Sequence, residues 1–148
     1  RGRGTVVDWK SPFSKIEIGR GEQLSDGNKI AVLTIGTIGN RVLEIEKELP
    51  KNTVSHFNMR FIKPLDEQLL HKIFSQFDKI ITIEDGTIVG GFGSAVVEFT
   101  SEKNYHSKTI KRMGIPDNFI EHGTVSELQE IVGLDKESIL KEIKKLLP

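Results

Sequence analysis

The sequence predicts a three-layer α/β/α domain around a mainly parallel sheet, with an edge strand that can run antiparallel. Three observations lead there. Ile30-Ala31-Val32-Leu33-Thr34-Ile35 is a continuous apolar run ended by Gly36, the pattern of a strand buried on both faces. Ile38, Val42, Ile45 and Leu49 then fall at i, i+4, i+7 and i+11, one stripe of an amphipathic helix that Pro50 closes. The same strand–helix alternation repeats toward the C-terminus, and alternation at these lengths implies parallel strands with helices on both faces.

The elements follow in chain order. Residues 1–28 are rich in glycine and read as a linker, within which Lys15 to Gly19 alternates polar and apolar and is expected to form a short edge strand. The domain proper is expected over 29–148. After the first strand and helix, Val54 to Ile62 reads as the next strand. Pro64 and Asp66 then open a helix that turns Leu69, Leu70, Ile73, Phe74 and Phe77 inward. Lys79 to Ile83 is a strand ended by Glu84-Asp85-Gly86, and the turn Gly90-Gly91-Phe92-Gly93 leads into a helix carrying Ala95, Val96 and Phe99. Thr109 to Met113 is the last strand. Thr124-Val125-Ser126-Glu127 has the form of a capping box opening a short helix with Val125, Leu128 and Val132. Asp135 caps the final helix, whose inner side is Ile139, Leu140, Ile143 and Leu147.

Composition narrows the function classes. A chain of 148 residues suits one domain. Lysine plus arginine and aspartate plus glutamate number 21 each, so formal net charge is zero and there is no electrostatic footprint for nucleic acid or an anionic membrane. Lys141, Lys144 and Lys145 read as a solvated helix face. The absence of cysteine removes disulfides, thiolate nucleophiles and cysteine zinc sites, and it fits a reducing, cytoplasmic setting. The first residues do not read as a signal peptide, and no apolar run reaches the length expected of a membrane span. Arg1 stands where a complete chain would have methionine, so a processed or trimmed chain is expected.

Spacing alone assigns no chemistry. Gly91-Phe92-Gly93 sits between a strand and a helix, a place where phosphate can bind. The dinucleotide fingerprint wants a third glycine or alanine where Val96 stands, and an acid ending the next strand, which instead runs Thr109 to Met113. Glycines that let a helix approach the sheet are the simpler reading. His56, His71 and His106 are expected to be structural or solvated, and no pair has metal-ligand spacing. His122, in the loop Gly114 to Gly123, is a candidate loop ligand or a structural residue. No serine stands in a nucleophile elbow, and no catalytic residue is assigned.

Three segments carry a resemblance. Arg60-Phe61-Ile62-Lys63-Pro64-Leu65-Asp66-Glu67, then Glu84-Asp85-Gly86 with Gly90-Gly91-Phe92-Gly93-Ser94-Ala95-Val96, then Gly114 to Gly123 resemble successive signatures of the 1-deoxy-D-xylulose-5-phosphate synthases. They stand in family order and at family spacing. Asp85 departs from a pattern in which many members have a second glutamate.

The resemblance implies the C-terminal, transketolase-type domain of a thiamine diphosphate enzyme that condenses pyruvate with glyceraldehyde 3-phosphate. The cofactor and Mg2+ would belong to the rest of the parent, with none expected in this chain, because the family's metal motif and activating glutamate have no counterpart here. The chain alone is expected to be inactive. Its implied partners are the remaining domains of the parent and a second copy in a homodimer. Architectural roles are expected for most of the matching residues, with the Glu84 carboxylate placed to accept backbone N–H groups of the Gly-rich turn. Arg1-Gly2 is similar to the end of a family Tyr-Pro-Arg-Gly segment, which makes Arg1 the candidate for binding the substrate phosphate. Two alternatives stay open: a stand-alone α/β regulatory or ligand-binding module, and the beta-chain domain of a 2-oxoacid dehydrogenase.

Overall fold

The computed structural model describes residues 15–147. In chain order the elements are β1 (Glu22–Ser25), β2 (Ile30–Ile35), α1 (Gly39–Glu46), β3 (Val54–Asn58), α2 (Glu67–Gln76), β4 (Lys79–Thr87), α3 (Phe92–Glu102), β5 (Thr109–Ile115), α4 (Val125–Ile131) and α5 (Lys136–Leu146). The strands form one sheet in the order β1-β3-β2-β4-β5. β1 is antiparallel to β3, and every other pair is parallel.

The pleat of the sheet sorts the apolar side chains into two cores. Ile30, Val32, Ile81, Ile83 and Met113 face α1 and α5, where Val42, Ile45, Ile139 and Ile143 close the layer. Ala31, Leu33, Phe57 and Ile80 face α2 and α3, meeting Leu70, Ile73, Phe74, Val96 and Phe99. Burying each such side chain contributes about 1.5–3 kcal/mol, so the central strands anchor both layers at once. This is the three-layer architecture expected from the sequence. No helix among the described residues is long and apolar enough to cross a membrane.

Several boundaries differ from expectation. The edge strand is Glu22–Ser25, not Lys15–Gly19. The latter segment ends in a turn, with Arg20 N–H donating to the Glu17 carbonyl and Gly19 at φ +76°, and Ile16 and Ile18 are exposed. β3 stops at Asn58 because Arg60 adopts a left-handed φ of 58°, its N–H held by the Asn58 side chain. β4 instead runs on through Glu84 to Thr87, whose partner is Ile115 on a lengthened β5. α4 carries the expected capping box, yet it buries none of its residues and Val125 is exposed.

Candidate functional site

In open α/β sheets ligands bind outside the carboxyl ends of the strands, at the point where strand order reverses. Here β3 lies on one side of β2 and β4 on the other, so that point falls between β2 and β4. The crevice there is lined by Ile35, Gly36 and Thr37, by Ile62, and by Glu84 to Gly86.

Glu84 dominates its chemistry. Although only 3% exposed, its carboxylate accepts the Phe92 N–H on Oε2 and the Gly93 N–H on Oε1, both at 2.8 Å. The N-terminus of α3 is thus neutralised by an internal anion, at the place where a bound phosphate would have to sit. The approach is close enough to require glycine: a Cβ on Gly91 would lie 2.2 Å from Glu84 Oε2, and one on Gly93 2.6 Å from Thr82 Oγ1. The neighbouring cation is engaged too, since Arg112 donates to the Ile88 carbonyl at 3.0 Å and to Ser94 Oγ at 2.9 Å. These residues do not fit thiamine diphosphate or a dinucleotide, because the pyrophosphate would meet a fixed carboxylate. Among the described residues no group of three histidine, aspartate or glutamate side chains is placed to hold a metal ion.

On the opposite face of the sheet is a buried polar relay. Thr34 Oγ1 stands 2.9 Å from His56 Nε2, and His56 Nδ1 stands 3.2 Å from Glu46 Oε1. The order of groups is that of a nucleophile–base–acid chain. Thr34 and His56 are both 0% exposed, so no substrate reaches them and the relay is structural. Burial pushes the imidazole down to about 4 and pushes the Glu46 carboxyl up, the latter partly offset by a hydrogen bond from Ser25.

A third arrangement joins the incoming chain to α2. Asp66, 5% exposed, accepts the Leu69 N–H at 3.0 Å as N-cap and the Gly21 N–H at 2.9 Å. Arg20 adds a contact to Asp66 Oδ1 at 3.4 Å and donates to Gln68 at 2.7 Å. Gly21 packs against this turn so closely that a Cβ would fall 2.7 Å from a Leu69 methyl.

Of the other sequence candidates, His122 is exposed in the loop between β5 and α4, and His106 is exposed. His71 is exposed as well, its Nδ1 2.8 Å from the Tyr105 hydroxyl. Arg1 lies outside the described residues. The structure brings together Glu84 and the Gly-rich turn as expected. Nothing in the sequence pattern pairs His56 with Glu46 or Asp66 with Gly21, since each pair joins different elements of the fold.

Comparison with known proteins follows the same lines. The family described as "Transketolase, C-terminal domain" matches residues 19–139. The 1-deoxy-D-xylulose-5-phosphate synthase of Bacteroides thetaiotaomicron is 50% identical over 155 residues, covering 100% of this chain and 24% of that protein. The proteins of the same name from Cytophaga hutchinsonii and Geobacillus sp. are 49% and 44% identical, over 99% and 100% of this chain and 23% and 24% of their own length. The chain therefore spans about a quarter of the curated relatives it matches. Among solved structures, a split-gene transketolase described as an inactive beta4 tetramer superposes with a TM-score of 0.85 at 29% identity, over 98% of this chain and 48% of that one. Transketolase from Campylobacter jejuni superposes with a TM-score of 0.60 at 19% identity, over 90% of this chain and 19% of that one, a likeness of fold alone.

Proposed function

Because the chain belongs to the transketolase C-terminal domain family, we propose that it is the C-terminal lobe of a 1-deoxy-D-xylulose-5-phosphate synthase. The parent would condense pyruvate with glyceraldehyde 3-phosphate, releasing CO2, with thiamine diphosphate and Mg2+ supplying the carbanion chemistry from domains outside this chain. Residues 29–148 form the lobe in this reading and residues 1–28 lead in from the preceding domain, carrying Arg1 as the phosphate contact. His122 is left to the loop that precedes α4. A cytoplasmic homodimer is the setting this reading takes for the parent.

The observation that carries the reading is the closed Gly-rich turn. Glu84 spends both oxygens on the N-terminus of α3, so the segment most like a cofactor motif works as a joint between sheet and helix. Identity of 44–50% spread over the whole chain, in proteins of one name, supports the choice of parent.

The test is acceptor choice by the full-length protein. With pyruvate and glyceraldehyde 3-phosphate it is expected to release CO2 and form the five-carbon ketose phosphate. Acyl transfer to a lipoyl acceptor instead would place the domain in a 2-oxoacid dehydrogenase.

A further inference from the structure

We propose that Glu46 and His56 hold one proton between them, and that this proton latches α1 to the sheet. The two side chains approach from different layers, His56 from β3 and Glu46 from the last turn of α1. Glu46 Oε1 and His56 Nδ1 are both buried, 3.2 Å apart, and neither has another hydrogen-bond partner among the described residues.

Proton counting gives the latch its sign. With no proton on the pair, a carboxylate stands beside the core without a cation. With two, an imidazolium is buried without an anion. Only the one-proton pair is net neutral, whether written as carboxylic acid beside imidazole or as carboxylate beside imidazolium, and burial favours the neutral sum. In the first form Nε2–H donates to Thr34 Oγ1, whose own hydrogen is directed to the Phe57 carbonyl 3.4 Å away. Nδ1 is then a bare acceptor that the Glu46 carboxylic acid fills.

Among the described residues, the groups that meet the ring are neutral, and the charged side chains on the packed elements are paired elsewhere or border the site with both signs. From β2 the ring meets Thr34, and from the first turn of α1 it meets Gly39, where a Cβ would lie 3.6 Å from Nε2. From β1, the Ser25 hydroxyl accepts the His56 N–H and is directed to the Val54 carbonyl. On α1, Arg41 is occupied by the Leu134 carbonyl and Gln129. On α5, Lys136 pairs with Glu48, and Glu142 pairs with Lys111 and Lys145. Asp26 and Lys51, one of each sign, border the shallow depression beside Glu46.

The test compares pH-dependent stability of the domain with that of Glu46→Gln. Between about pH 4.5 and 6.5 the unfolded chain carries one proton on this pair, on histidine. A native pair that also carries one contributes little slope. In Glu46→Gln the native imidazole is alone, and burial disfavours its charged form, as it does in the unaltered chain. Stability then falls with falling pH, and the unfolding constant is expected to rise by up to tenfold per pH unit beyond the parent's own trend. Parallel curves for the two proteins would overturn the shared proton. NMR of the unaltered domain decides the matter if the variant does not fold. The Glu46 carboxyl is expected to titrate above its usual range, with no separate His56 midpoint near 6.5. A Glu46 midpoint near 4.5 would overturn the proposal. In more acid solution, where the second proton arrives, amide exchange is expected to accelerate first in α1. Acceleration spread evenly over the sheet would overturn the latch.

Discussion

The backbone N–H of Gly93 donates to Glu84 Oε1 at 2.8 Å, so the helix that the Gly-rich turn opens is closed by an anion from the preceding strand. Removing that carboxylate orphans two buried N–H groups at once. Glu84→Ala is expected to lower unfolding free energy by at least about 2 kcal/mol in denaturant titrations, since each bond to a charged group is worth about 1.5–3 kcal/mol. Glu84→Gln would recover only part, because its amide places a donor against one of the two N–H groups.

The glycines of the same turn are fixed by space. A side chain on Gly93 meets Thr82 Oγ1 and the Arg112 stem, so Gly93→Val is expected to destabilise the domain by about 1–3 kcal/mol through overpacking. NAD and ATP are expected to leave the Tm of the unaltered domain in place. A large upward shift would mean that a nucleotide binds the native state after all.

Asp66 serves α2 and the incoming chain together. Asp66→Ala removes the N-cap bond to Leu69 and the bond to Gly21, and a loss of about 1–2 kcal/mol is expected from the cap. The diagnostic result is local: proteolysis should nick the chain around Arg20 and Gly21 before the sheet opens. Cutting rates unchanged at that point would mean the Gly21 contact holds nothing in place.

How much of this was legible depends on where each residue's partners lie. The burial of β2 was readable because six consecutive apolar-rich residues need cover on both sides. Glu84 was readable as an acceptor because strand, turn and helix are contiguous. The edge strand was not, since Glu22–Ser25 shows no alternation and is held by β3, whereas the alternating Lys15–Gly19 turns away. The end of β3 depends on a left-handed Arg60, and the extension of β4 on pairing with Ile115, neither of which leaves a periodic mark. His56 and Glu46 meet only because α1 folds back across the sheet, so nothing local announces the pair.

Arg1 is tested in the full-length protein. Loss of a charge-assisted contact to phosphate costs about 1.5–3 kcal/mol. Arg1→Ala is therefore expected to lower kcat/KM for glyceraldehyde 3-phosphate roughly 10- to 150-fold while hardly affecting unphosphorylated glyceraldehyde. Arg1→Lys should rescue in part, having the charge without the planar fork. Equal losses with both acceptors would assign Arg1 to the fold or the cofactor site.

In the proposed function this domain builds part of a larger enzyme's frame and leaves the cofactor to other domains. Calorimetric titration of the 148-residue chain with thiamine diphosphate, Mg2+ present, tests it most directly. No saturable heat is expected, because the turn a diphosphate would seek is held by Glu84. A stoichiometric isotherm in the micromolar range would contradict it.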